Sequence, residues 1–221
     1  MKKRKLKILV TAGPTREPLD PTRFISNYST GIFGFEIATV AKKRGHKVTL
    51  ISGPTFQKDI KGIKTIRVET ALQMQKASLR EFKNCDCLVM NAAVCDYRPH
   101  KFSKNKIKKG KQTFYLKLVK NPDILKSLAK HKGYRILVGF SLETKKVVKN
   151  AFNKLKDKNL SLIVASQVTK SHQPFGEAKI TVYIIDRKGI YKKKTKVTKK
   201  NLAGSLLDSI ERLWYTSFLN R

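Results

Sequence analysis

The 221-residue sequence predicts an α/β fold built on a doubly wound, mostly parallel sheet. Three observations predict it. Short apolar runs alternate with segments whose apolar residues recur at helical spacing. The opening runs strand, loop, helix, strand, the order of a unit with two parallel strands. The polar stretch over residues 99–120 lacks a core of its own, so it reads as a flap within one domain spanning 1–221.

Residues 7–11, Lys-Ile-Leu-Val-Thr, read as a buried first strand. Residues 12–30 hold three prolines and two arginines and read as a long loop. Residues 31–44 are spaced as a helix, with Phe33, Ile37, Val40 and Ala41 on one side and Gly45 closing it. Apolar strands follow at 48–52 and 65–68, then a helix at 71–82 and a strand at 87–93. A short helix over 123–130 precedes a strand at 136–140. A helix over 143–158 follows, with Val147, Ala151 and Leu155 spaced by four, and then a strand at 162–165. Residues 180–186 and 191–197 read as a hairpin around Lys188-Gly189. Thr198 caps a last helix carrying Leu202, Leu206, Ile210 and Leu213 on one face. In the flap, Gly110 separates Ile107 from the alternating Phe114, Leu116 and Leu118, which reads as a two-stranded excursion. The whole is Rossmann-like with a β-hairpin flap.

Composition excludes several classes. No run reaches the roughly 20 apolar residues needed to span a bilayer. The basic start, Met1-Lys2-Lys3-Arg4-Lys5, leads into a strand rather than a signal-peptide core. Cys85 and Cys87, read on the same side of a strand, and Cys95 make an odd number without metal-ligand spacing. They indicate free thiols in a cytoplasmic protein and no metal site. The net charge of +34 attracts polyanions in general. Lysine outnumbers arginine and is spread over the whole chain, whereas dedicated nucleic-acid readers cluster arginine with aromatics. No specific nucleic-acid function is expected.

In open α/β sheets, ligands bind beyond the carboxyl ends of the strands. That directs attention to residues 12–30, 91–97 and 140–143. The turn after the first strand is not the glycine-rich dinucleotide fingerprint, and Pro14 removes a backbone donor. Ser29, Thr30 and Gly31 stand at a helix start, which suits an anion and equally suits an ordinary cap. Asn121 and Pro122 fit a second helix start, Asn121 as its cap. Lys154 and Lys158 share a helix face that either meets solvent or holds a polyphosphate. Lys106, Lys108 and Lys109 on the flap carry the same two readings. Asp96 suits a ribose hydroxyl or a metal-bound phosphate. Tyr97 and Lys101 match a dehydrogenase pair in spacing, but Pro99 breaks the helix they need. The histidines, His46, His100, His131 and His172, read as surface residues.

The segment from Thr11 to Asn27, Thr-Ala-Gly-Pro-Thr-Arg-Glu-Pro-Leu-Asp-Pro-Thr-Arg-Phe-Ile-Ser-Asn, closely resembles the opening of bacterial phosphopantothenoylcysteine synthetases. Thr30-Gly31-Ile32-Phe33-Gly34 looks like that family's Ser-Gly-x-x-Gly. Ala92-Ala93-Val94-Cys95-Asp96-Tyr97 is similar to its Ala-Ala-Val-Ala-Asp-Tyr. Lys106-Ile107-Lys108-Lys109, Lys120-Asn121-Pro122-Asp123-Ile124, Gly139-Phe140-x-x-Glu143-Thr144 and Lys158-Asn159-Leu160 follow in the family's order. The resemblance implies a ligase that joins 4′-phosphopantothenate to L-cysteine through an acyl-cytidylate, using CTP with Mg²⁺ on its phosphates. It implies Asn27 as the catalytic asparagine, Arg23 as its companion, and Lys106 as a cation near the α-phosphate. Asp96, Asn121, Pro122, Asp123, Ile124 and Phe140 would meet the cytidine, and Lys154 and Lys158 the phosphates. Ser29, Thr30, Gly31, Ala92 and Ala93 would line the substrate site. A homodimer is implied, with the flap near the partner. With only a short basic stretch before Lys7, no flavin is expected, and the decarboxylase that often precedes this domain would be a separate chain. Ser166-Gln167 in place of Asn-Asp, Ser141-Leu142 in place of two alanines, and Cys95 in place of another depart from the family's pattern.

Overall fold

The structure, a computed structural model, describes residues 5–110, 113–169 and 173–219, with only the backbone of 217–219. His172 and the first four residues of the basic start lie outside the described residues. The chain runs β1 (Lys7–Ala12), β2 (Arg16–Asp20), β3 (Arg23–Ser26), α1 (Ile32–Lys43), β4 (Lys47–Ser52), β5 (Lys64–Arg67), α2 (Ala71–Phe82) and β6 (Cys87–Met90). It continues with β7 (Tyr97–Pro99), β8 (Leu118–Lys120), α3 (Ile124–Ala129), β9 (Ile136–Glu143), α4 (Val147–Asp157), β10 (Leu162–Gln167), β11 (Ile180–Asp186), β12 (Tyr191–Val197) and α5 (Lys199–Leu219).

Eight strands form the central sheet in the order β12-β11-β10-β9-β6-β1-β4-β5. The run from β10 to β5 is parallel, and the β11–β12 hairpin adds antiparallel strands at one edge. Strand residues alternate between two cores because successive side chains leave opposite faces. Ile8, Val10 and Ala12 of β1 pack with α1 and α5, through Phe35, Ile37, Leu202, Leu206 and Ile210. Leu9 of β1 joins Met74 of α2, Leu128 of α3 and Leu155 of α4 on the other face. This two-sided burial explains why these strands read as unbroken apolar runs. Among the described residues, no helix is long and apolar enough to cross a membrane.

Six expectations need correction. The long loop after β1 contains a hairpin, β2–β3, because the Asp20 carboxylate closes a turn at its tip by accepting from the backbone of Thr22 and Arg23. The strand expected over 87–93 ends at Met90. The N–H of Ala92 is taken by Thr11 Oγ1 at 3.1 Å, and that of Ala93 by Gly13 O at 2.9 Å, so the chain leaves the sheet and bridges the loop after β1. Residues 141–143 extend β9 instead of starting a helix. Ser166 and Gln167 of β10 pair with Leu142 and Glu143, and α4 begins at Val147. Asn121 does not cap α3. Asp123 does, accepting from Lys126 N at 2.9 Å. Cys85 precedes β6 and packs in the core opposite to that of Cys87, so the two thiols do not share a face. His46 is not a surface residue. Its side chain is only 6% exposed, accepting from Leu6 N and contacting Glu211 at 3.0 Å.

The flap is closed at its base by the antiparallel pair β7–β8, and its described residues between 100 and 117 carry no further strand. Of the alternating Phe114, Leu116 and Leu118, only Leu118 falls in a strand. Thr198 caps α5 as expected, its Oγ1 accepting from Asn201 N at 3.2 Å.

Candidate functional site

The chain order of the sheet reverses at β1. Strands β4 and β5 run outward on one side, and β6, β9 and β10 on the other. The loops leaving β1 and β6 therefore meet beyond their carboxyl ends, where such folds take ligands. Here the two loops are zipped together by backbone. Pro14 bridges Ala93, Thr15 N donates to Ala93 O at 3.1 Å, and Cys95 N donates to Thr15 Oγ1 at 3.0 Å.

Two cavities open around this seam. The first, about 430 Å³, lies between residues 27–33, residues 91–94, Phe140 to Leu142, Ser166 and the loop at Phe175. The second, about 540 Å³, lies between Ala92, Val94 to Tyr97, residues 120–126, Phe140, Lys154 and Lys158. Ala92, Val94, Asp96, Phe140 and Lys154 line both, so the cavities share one wall.

The first cavity contains the N-terminus of α1. No side chain caps this helix, and Gly31 takes φ 79° there, a left-handed conformation that glycine adopts without strain. Thr55 Oγ1 fixes the approach by donating to Thr30 O at 2.7 Å. The uncapped N–H groups make a place for an anion, with Ser29 and Thr30 beside them. Of the two readings the sequence left open, the ordinary side-chain cap is absent. Asn27 donates through Nδ2 to Ala93 O at 3.0 Å, which leaves Oδ1 as an acceptor. Phe33 of α1 meets Phe140 edge to face at 5.6 Å, and both rings line the cavity.

Lys154 of α4 and Lys158 at its C-cap both reach the second cavity. Lys154 donates to Phe140 O at 2.8 Å. Burial pushes its amine down from the usual lysine range, with Lys158 adding repulsion and Glu143, Asp123 and Asp96 opposing. A buried cation of this kind gains most from an arriving anion. Lys158 pairs with Asp123 at 2.6 Å. Burial works against the Asp123 carboxylate, but Lys158 and the Lys126 N–H hold its pKa below the ordinary value. Asn121 is buried with both polar ends engaged, accepting from Arg98 at 3.0 Å and donating to Cys95 O at 2.9 Å.

Of the residues expected from sequence, Asn27, Ser29, Thr30, Gly31, Ala92, Ala93, Asp96, Phe140 and Lys154 line the first cavity. Asp96, Asn121, Pro122, Asp123, Ile124, Phe140, Lys154 and Lys158 line the second. Arg23 and Lys106 line neither. Sequence reasoning missed Lys199, which reaches the first cavity from the start of α5 and donates to the carbonyls of Gly176 and Ala178. One lysine among 49 basic residues gave no signal; only its place directly after the Thr198 cap sets it apart. Ser166 was visible as a departure from the family, and it also lines this cavity.

Thiolate chemistry is disfavoured. Burial pushes the Cys85 thiol up to about 12 and raises those of Cys87 and Cys95 as well. Among the described residues no group of three or more His, Cys, Asp or Glu side chains is placed to hold a metal ion. The site thus offers cations, an uncapped helix terminus and amides, which is equipment for positioning anions rather than for thiol catalysis.

Comparison with known proteins agrees with this fold. The coenzyme A biosynthesis bifunctional protein CoaBC of Borreliella burgdorferi is 39% identical over 204 residues, covering 91% of this chain and 51% of that protein. The chain spans about half the length of the curated relatives it matches. A crystal structure of the C-terminal domain of CoaBC superposes with a TM-score of 0.81 at 34% identity, covering 96% of each chain. A Cab2 mutant in complex with phosphopantothenate-cysteine shares the fold, with a TM-score of 0.71 at 18% identity over 98% of this chain and 89% of that one. The model of the DNA/pantothenate metabolism flavoprotein C-terminal domain matches residues 3–213, and the chain belongs to that family.

Proposed function

We propose that the protein is a phosphopantothenate–cysteine ligase that activates its acid with CTP. The observation that carries the proposal is the shared wall. An anion seated at the α1 terminus in the first cavity and a nucleotide held by Lys154 and Lys158 in the second meet across Ala92 to Asp96 and Phe140.

In this reading the pantothenate carboxylate oxygen attacks the α-phosphorus of CTP. The bond to the β-phosphate bridging oxygen breaks and pyrophosphate leaves, giving an acyl-cytidylate. The cysteine amine then attacks the acyl carbon, the C–N bond forms, CMP departs and the amine loses a proton. Carboxylate and triphosphate repel each other, so the first step needs cations and placement. Lys154 stands at the wall where the two meet. Asn27, held through Nδ2 by Ala93 O, presents Oδ1 to the incoming amine without titrating. Mg²⁺ usually keeps several waters and takes one or two carboxylates plus phosphates. Asp96, exposed on both cavities, is the carboxylate that fits it, and the ion would shield the phosphate charge.

A homodimer belongs to the same proposal. Phe24, Phe102, Phe114 and Tyr115 expose large apolar rings on the hairpin and flap, and sedimentation velocity would register the association. Three buried free thiols fit the cytoplasm, where thiols stay reduced. A decarboxylase partner would be sought by co-purification.

The deciding experiment is pyrophosphate release with each of the four nucleotides. Release should need phosphopantothenate and CTP together and no cysteine. No release with any nucleotide would overturn the proposal.

A further inference from the structure

Arg23 and Lys106 lie outside both cavities, yet one residue ties them together. The Asp20 side chain is fully buried at the tip of the β2–β3 hairpin. It accepts from Thr22 N at 2.9 Å, Thr22 Oγ1 at 3.0 Å, Arg23 N at 2.9 Å and Arg23 Nε at 3.0 Å, and it pairs with Arg23 Nη2. A further donor comes from the flap, 87 positions away in sequence: Ile107 N at 3.1 Å. Arg23 Nη2 also donates to Ile107 O at 2.8 Å, so both backbone groups of that flap residue are held by one ion pair. Ser103 N donates to Leu19 O at 3.0 Å and adds a second tie nearby. A local turn needs none of these flap contacts.

We infer that Asp20 is a positioning residue, which with Arg23 clasps Ile107 and joins the hairpin and the flap into one arm that delivers Arg23 and Lys106 together. The guanidinium uses Nε and Nη2 in the clasp and keeps its Nη1 donors for an anion. Lys106 is the neighbour of the clasped residue, so its backbone origin is fixed while its side chain stays exposed. The arm lowers the entropy lost when flexible cations close on a phosphate, since ordering each such side chain or loop otherwise costs affinity. The arrangement also accounts for the carboxyl of Asp20, which the Arg23 hydrogen bond holds well below the usual carboxylate range. The roles of Arg23 and Lys106 rest on the ligase reading; the clasp itself does not.

The test uses the full chain with Ile107→Pro, which deletes the N–H that donates to Asp20 while keeping the Asp20, Arg23 and Lys106 side chains. Asp20→Asn serves as the second variant, from the hairpin side. Hydrogen exchange over residues 100–110 reads the clasp, and pyrophosphate release reads its use. For Ile107→Pro the expected result is an unchanged melting temperature and flap exchange about tenfold faster. The KM for CTP should rise about tenfold, the size of one charge-assisted hydrogen bond. In a Lys106→Gln background the same change should produce a clearly smaller rise than in the parent, because the clasp acts in part through that lysine. Unchanged flap exchange in both variants would refute the clasp. Faster exchange with unchanged KM, additive losses with Lys106→Gln, or a gain in rate would each refute its positioning role. If the parent releases no pyrophosphate with any nucleotide, the ligase reading fails, and flap exchange alone decides whether the clasp exists.

Discussion

Gly34 sits in the first turn of α1, where the helix presses on the end of β1. A β-carbon placed there would lie 2.5 Å from the Ala12 Cβ, 3.0 Å from the Ala12 Cα and 3.2 Å from Asn91 Oδ1. Ala12 is fully buried and part of the sheet, so the strand cannot give way as a flexible side-chain tip would. Forcing an extra methyl into a packed contact costs about 1–3 kcal/mol. With backbone as one of the atoms met, the upper end applies. Alanine regains about 1 kcal/mol of helix propensity over glycine. Gly34→Ala should therefore destabilise by about 2 kcal/mol, a fall in Tm of about 4–8 °C for a chain of this size. Thermal unfolding followed by circular dichroism measures it. The displaced helix carries Gly31 with it, so the KM for phosphopantothenate should rise more than that for CTP. A Tm equal to or above that of the parent would refute the packing argument, and equal KM changes would refute the assignment of the two cavities.

Asn27→Asp should keep pyrophosphate release and slow product formation by about 10²-fold, the scale of losing one well-placed polar group in an active site; unchanged product formation removes Asn27 from the second step. Lys154→Met should leave Tm unchanged or raise it, because a desolvated amine is replaced by an apolar chain, while CTP binding by calorimetry weakens at least about tenfold. Retained affinity would refute the phosphate role. Burial opposes charge on Glu211, yet His46 and Arg44 hold its carboxyl below the ordinary glutamate value of 4.5. Its contribution to stability is thus complete above pH 4.5 and fades as pH falls through the folded value. The Tm gap between the parent and Glu211→Gln should shrink on acidification below 4.5, and a gap that widens would contradict the sign. Iodoacetamide at pH 8 should leave Cys85 and Cys87 unlabelled in the folded protein, as mass spectrometry of the digest would show.

What the sequence made legible has a common character. The parallel strands and α1, α2 and α5 carry apolar residues at a fixed period, and each buries them against a neighbour, so local spacing sufficed. The seam falls within segments 12–30 and 91–97, which stood out because they follow strands, whereas Asn27, Ala92 and Ala93 stood out only through the family resemblance. The β2–β3 hairpin escaped because two of its five strand residues in β2 point their logic elsewhere. Glu17 accepts from Ala71 N at 2.9 Å, and Asp20 from the flap. Carboxylates buried for distant partners look like loop residues in sequence. The cap of α3 was misplaced for a similar reason, since Asn121 is taken by Arg98 and the Cys95 carbonyl, and Asp123 next along is free to cap. Glu143 looked helical by composition, but Ser141 Oγ at 2.5 Å and pairing with Gln167 keep it in the sheet.

The zipped loops after β1 and β6 have one more consequence. The wall between the cavities takes its shape from main chain, through Pro14 against Ala93, Thr15 against Ala93 and Asn121 N against Asp96 O at 2.7 Å. Position 95 can therefore carry cysteine where the resembled pattern has alanine while the contour persists. For a designed inhibitor this matters. A molecule that bonds to the main chain of that wall leans on groups that substitution changes least, so escape is expected first at the side chains that line it, Val94, Asp96, Phe140 and Lys154.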